Sequence, residues 1–233
     1  MNLEANNMDE IVALIMKELK KTDIKAGCQS CESPKNGVFS SMDEAIAAAK
    51  KAQEILFSSR LEMREKIVAS IREVMKDYVM ELAELGVKET GMGRAADKAL
   101  KHQVTIEKTP GVEDLRAFAF SGDDGLTVME LSPYGVIGAI TPSTNPSETI
   151  ICNSIGMISA GNSVVFAPHP GAKRTSIKTV EIINEAVRKA GGPENLVVTI
   201  AEPSIENTNK MMENPDIKML VATGGPGVVK SVM

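Results

Sequence analysis

Three loops hold the residue types best suited to chemistry, and each follows a run of β-branched residues. The first reads Thr141-Pro142-Ser143-Thr144-Asn145-Pro146. Its prolines stiffen the backbone, and Asn145 carries a side-chain amide, a donor type that can hold a developing oxyanion. Asn-Pro is also an ordinary turn signal, so the residues alone leave both readings open. The second reads Ala167-Pro168-His169-Pro170-Gly171, where flanking prolines define the position of His169. An imidazole there could touch a cofactor or carry a proton, or be a loop residue with no special role. The chain has two histidines, too few for a catalytic or metal constellation. The third reads Thr223-Gly224-Gly225-Pro226-Gly227, with a helix starting at Val228. Glycines let backbone N–H groups approach an anion, and a helix N-terminus adds roughly half a positive charge, which suits a pyrophosphate. The run is neither a Walker loop nor G-x-G-x-x-G, and a plain strand-to-helix turn would read the same.

The cysteines offer less. Cys28 and Cys31 form a lone Cys-x-x-Cys in a polar stretch, whereas a structural zinc site needs four ligands. Cys152 sits early in the helix after Pro146, among Ile150, Ile151 and Ile155, and is expected to be a buried small hydrophobe. No metal site is expected.

The elements that must position these loops are readable from periodicity. Strand-like runs at 135–141, 163–167, 196–200 and 217–223 alternate with helical patterns at 147–160, 173–190 and 204–213. Such alternation predicts an α/β fold with a parallel sheet covered on both faces. Ligands of these sheets bind beyond the carboxyl ends of the strands, which adds the loop at 201–204 to the three above. Upstream, 41–108 is helical. It opens with a Ser41-x-x-Glu44 capping box, followed by a long helix over 60–85 with Ile67, Ile71, Val74 and Val79 inward. A third helix follows the break at Gly91 and Gly93, then a turn and short helix, then strand-like runs split at Pro133. Residues 8–21 form an amphipathic helix, with Ile11, Leu14, Ile15 and Leu19 on one face. The expected organisation is a helix within 1–22, a linker over 23–37, and one domain over 38–233.

Composition bounds the partners. Apolar residues make up 43% of the chain and charged residues 24%, as in an ordinary globular protein. A net charge of −5 argues against nucleic acid, whose backbone needs a basic face. Aromatics are 3% with no Trp, so base-stacking platforms are not expected either. The apolar run at 11–16 is far short of the roughly 20 residues of a membrane helix. A cytoplasmic protein with no membrane partner is expected.

In order and without gaps, SPYGVIGAITPSTNPSETIICNSIGMISAGNSVVFAPHPGAK, GGPENLVVTIAEP and LVATGGPGVVK resemble the CoA-acylating aldehyde dehydrogenases of ethanolamine and propanediol utilisation. They are similar also to clostridial butyraldehyde dehydrogenases. The likeness runs from about Gly37 onward and implies a Rossmann-like nucleotide-binding domain preceded by a helical region. It implies that Thr141, Pro142, Ser143 and Thr144 lie between nicotinamide and substrate, with Asn145 as the oxyanion-hole amide. It places His169 and Pro170 after the second strand, where hydrolytic relatives keep a ribose-binding Lys and this chain has Ala167 instead. Gly224, Gly225 and Val228 match the turn that receives the cofactor's phosphates, and 126–131 resembles a strand that builds homo-oligomers.

The implied reaction is aldehyde plus CoA plus NAD to acyl-CoA plus NADH, through a cysteine thioester. None of Cys28, Cys31 and Cys152 matches the nucleophile's motif, so the cysteine and its catalytic domain are expected beyond residue 233, leaving this chain inactive alone. Lys173 and Arg174, with no acid near, lean toward NADP on physical grounds, whereas the resemblance implies NAD. The aldehyde is left open, because acetaldehyde, propionaldehyde and butyraldehyde differ by methylenes worth about 1–3 kcal/mol each. The segment at 8–21 resembles peptides that bind shell or cargo proteins of bacterial microcompartments, so that lumen is a second expected location. The alternative reading is a non-catalytic nucleotide-binding or microcompartment-tethering module.

Overall fold

The computed structural model describes residues 36–232. The helix expected over 8–21, the Cys28/Cys31 pair and nearly all of the expected linker lie outside the described residues.

Strands β1 (Val38–Phe39), β4 (Val136–Thr141), β5 (Ser163–Pro168), β6 (Val197–Ile200) and β7 (Ile217–Ala222) form one sheet in the order β1-β6-β5-β4-β7. Every pairing in it is parallel. The chain steps from β4 outward through β5 to β6, then crosses back to place β7 on the other side of β4. That reversal opens a crevice at the carboxyl ends of the strands, where doubly wound sheets bind ligands. A separate antiparallel hairpin joins β2 (Phe118–Gly122) to β3 (Gly125–Met129) through Asp123-Asp124.

Both faces of the sheet are packed because the strand side chains alternate. Val165, Ala167, Val198 and Ile200 point to one side, where they meet Met42, Ile46 and Ala49 of α1 (Met42–Ser58). Val164, Phe166, Ala139 and Val197 point to the other. There they meet α2 (Leu61–Asp77), α5 (Pro146–Ser159) and α6 (Lys173–Lys189) through Ile67, Ile71, Ile150, Ile151, Ile155 and Ile183. Helices α3 (Val79–Thr90) and α4 (Ala95–Lys108) complete that layer, while α7 (Ile205–Glu213) joins α1. Gly138 on β4 allows close approach there: an added Cβ would stand 2.9 Å from Leu220 Cδ2 and 3.2 Å from Met211 Sδ. Among the described residues no helix is long and apolar enough to cross a membrane.

Several expectations change. The helix expected over 60–85 is two, α2 and α3, separated at Tyr78 with φ −103° and ψ 3°. Met75 takes the core position on α2, and Val74 is half-buried beside it. Ser41 is the N-cap of α1, but its side chain makes no capping hydrogen bond, so the capping box is not formed. Strand β1 starts directly after the expected linker, and the Asn184 side chain holds its approach by donating to Asn36 O at 3.1 Å and Val197 O at 2.5 Å. Strand β2 lies just beyond the expected turn and short helix, of which Val112–Asp114 is a single 3₁₀ turn. Strand β5 is buried throughout, whereas β7 is only half-buried and forms one edge of the described sheet.

Candidate functional site

All the loops singled out in the sequence meet in one crevice of about 740 Å³ at the carboxyl edge of the sheet. Its walls include Thr141, Pro142, Ser143, Thr144 and Asn145 after β4, and His169 and Pro170 after β5. Gly224, Gly225 and Val228 wall it after β7, where α8 (Pro226–Val232) begins. Backbone hydrogen bonds lock the loops together: His169 N donates to Thr141 O at 3.2 Å, and Thr223 N donates to Ile140 O at 3.0 Å.

The polar groups of the crevice are partly spoken for. Thr144 Oγ1 donates to Asn145 Oδ1 at 2.7 Å, so the polarity left to the Asn145 amide is that of its N–H donors. The Asn145 carbonyl accepts from Thr149 N at 3.1 Å and Thr149 Oγ1 at 2.8 Å, which anchors the residue to the first turn of α5. Gly171 N donates to His169 Nδ1 at 3.0 Å. A neutral His169 therefore carries its proton on Nε2 and offers a donor there. Thr141 Oγ1 is buried and has no partner in the protein. At Gly224 an added Cβ would stand 3.2 Å from Val228, so glycine is what allows the turn to close onto α8.

The helix N-termini around the crevice differ in how far their amides are already occupied. The α6 amides after the His169 loop are occupied: Glu89 accepts from Arg174 N at 2.6 Å, from Thr175 N at 2.7 Å and from Thr175 Oγ1 at 2.6 Å. Ser204 Oγ caps α7 by accepting from Asn207 N at 3.1 Å. Helix α5 begins with Pro146, which has no N–H. Backbone donors at Gly224, Gly225 and Gly227 remain.

Ser204, from the expected loop at 201–204, lines the crevice, but the α7 wall beyond it was missed: Ile205, Thr208, Asn209 and Met212 line it too, and Ile205 is 80% exposed. An exposed isoleucine in the first turn after the third strand is the signal that could have found it. The basic residue that leaned toward NADP is engaged: Lys173 Nζ donates to Glu202 Oε1 at 2.5 Å.

Cys152 is exposed, contrary to the expectation of burial. The isoleucines at 150, 151, 155 and 158 take the core face of α5, and the helical period turns Cys152 outward with Gly156. The thiol lines a second cavity, of about 860 Å³, with Leu131, Tyr134, Asn153, Met157 and Met219. That cavity shares no residue with the crevice.

The chain matches the model of the aldehyde dehydrogenase family over residues 29–233. It is 44% identical over 229 residues to the acetaldehyde dehydrogenase (acetylating) EutE of Escherichia coli, covering 98% of this chain and 48% of the relative. A solved propionaldehyde dehydrogenase of Rhodopseudomonas palustris, with bound CoA and an acylated cysteine, is 54% identical with a TM-score of 0.83. The match covers 84% of this chain and 45% of that one. An engineered glycolyl-CoA reductase with bound NADP⁺ is 51% identical, TM-score 0.84, covering 86% and 46%. The chain thus spans about half the length of the curated relatives it matches. With the Rossmann-like strand order, the crevice at its reversal point and these matches together, the chain belongs to the aldehyde dehydrogenase family, and the relatives named are CoA-acylating members or close kin of them.

Proposed function

We propose that these 233 residues are the nucleotide-binding part of an NAD-dependent enzyme that converts a small aldehyde and CoA to acyl-CoA. One observation carries the reading: loops from β4, β5 and β7 build a single crevice at the reversal point of the sheet. The residues present fit a dinucleotide. Gly224 and Gly225 would hold its phosphates through backbone N–H groups. His169 Nε2 would donate to a ribose, and Ile205 and Met212 would cover the adenine. When bound, the nicotinamide supplies the hydride acceptor. Asn145 would donate its amide hydrogens to the aldehyde oxygen as negative charge develops there, a contribution worth about 2.7–4 kcal/mol where such donors have been removed. NAD is favoured over NADP because Lys173, one of the two basic residues after β5, is already paired with Glu202.

The hairpin β2–β3 supports a homo-oligomer. Phe118, Phe120, Leu126, Val128 and Met129 are all exposed, an apolar concentration typical of an interface.

The 233 residues alone are inactive in this reading. Cys152, the described cysteine, lies outside the crevice, and none of the three matches the family's nucleophile. The test is NADH formation from acetaldehyde and CoA by rigorously purified chain. No turnover above buffer is expected, and turnover abolished by Cys152→Ala would overturn this part of the proposal.

A further inference from the structure

Behind the Asn145 loop lies a buried polar cluster that the crevice itself does not include. Lys98 and His102 stand one turn apart on α4, and Ser147 and Glu148 occupy the first turn of α5. The Lys98 and His102 side chains are 5% and 0% exposed, and that of Glu148 is 6%. Lys98 Nζ donates to the Thr144 carbonyl at 2.7 Å and lies 3.9 Å from Glu148 Oε1. Ser147 Oγ donates to Glu148 Oε2 at 3.1 Å and stands 2.7 Å from His102 Nε2. Burial holds the imidazole below its ordinary range, against the pull of Glu148.

A buried lysine is costly unless its charge is matched and its hydrogens are used. Here the match is Glu148, and the use is a main-chain carbonyl of the loop that carries the oxyanion donor. In a trans peptide the C=O and the following N–H point in opposite directions. Pinning Thr144 O toward α4 therefore turns the Asn145 N–H away from the lysine and fixes the plane from which the Asn145 side chain springs.

We propose that Lys98 is a positioning residue: its buried ammonium, 3.9 Å from the Glu148 carboxylate, sets the Thr144–Asn145 peptide through its bond to Thr144 O and thereby the aim of the Asn145 donors. The importance of that aim rests on the functional reading above, but the positioning itself does not. Removing Lys98 alone would strand the Glu148 charge, so Lys98→Met is expected to lower the melting temperature sharply. The double variant Lys98→Met/Glu148→Gln removes both charges and is expected to recover most of that loss. It still lacks the bond to Thr144.

Amide exchange at Thr149 and His169, whose N–H groups donate to the loop carbonyls Asn145 O and Thr141 O, is measured in the full 233-residue chain, with NAD⁺ affinity by calorimetry beside it. In the double variant these amides exchange faster by on the order of 10-fold, the worth of one charge-assisted hydrogen bond. Amides of β5 stay at parent rates, and NAD⁺ affinity falls by a similar factor. Exchange at the parent rate in a folded double variant would reduce Lys98 to a counterion and overturn the proposal. Should that variant fail to fold, the parent decides: the Lys98 ammonium protons must give a protected nitrogen-15 signal, and exchange as fast as that of surface lysines overturns it. A parent that binds no NAD⁺ would sink the functional reading while the amide exchange still tests this one.

Discussion

In the proposed reading, the Lys173–Glu202 ion pair bears on cofactor preference. Glu202 is 83% exposed at its side chain, so the pair contributes little to stability, about 0–1 kcal/mol. Its effect lies in occupancy, because an ammonium engaged by a carboxylate is less available to a ribose phosphate. Replacing Glu202 by Gln should leave the melting temperature unchanged and raise NADP⁺ affinity several-fold relative to NAD⁺. Titrating both nucleotides against parent and variant reads the ratio, and an unchanged ratio would remove Lys173 from the account. The sequence made Asn145 and His169 visible because proline and strand ends flag their loops. Glu202 as the partner of Lys173 was not visible, since the contact joins the starts of two different loops in space. Lys98, His102 and Glu148 escaped for a related reason. Polar residues at helical spacing read as a solvated face until α4 is known to lie against α5.

At the scale of elements, the contact between α3 and α6 rests on a carboxylate that replaces a local cap. Glu89, in the last turn of α3, takes two backbone N–H groups and a hydroxyl at the start of α6. The acid also meets the positive end of the α6 dipole. Glu89→Ala should cost about 2 kcal/mol, the order expected for a lost cap with charged acceptors. Denaturant unfolding checks this, and a loss below a few tenths of a kcal/mol would show that water replaces the carboxylate. The parallel strands and their helices were legible because β-branched runs and the glycine stops at Gly161 and Gly191 punctuate them. The break at Tyr78 was not, because no Gly or Pro marks it and its cause is the tertiary fit of α3 against α6. Strands β1 and β2 were hidden too: a two-residue strand has no period, and Phe118, Ala119 and Phe120 alternate too briefly to signal one.

For the whole molecule, the order β1-β6-β5-β4-β7 brings the loops after β4, β5 and β7 to one crevice, which the proposed function fills with a nucleotide. The family likeness and the crevice support each other independently, one from residue identity and the other from strand order. The proposed function puts NAD⁺ at the carboxyl edge and not in the larger cavity beside Cys152. Titration of the isotopically labelled chain with NAD⁺, followed residue by residue through backbone amide shifts, tests this most directly. Saturable shifts are predicted at Thr141, Ser143, Thr144, Asn145, His169, Gly224, Gly225 and Val228, with Asn153 and Met157 unmoved. Shifts confined to the Cys152 cavity, or none at millimolar NAD⁺, would contradict the account.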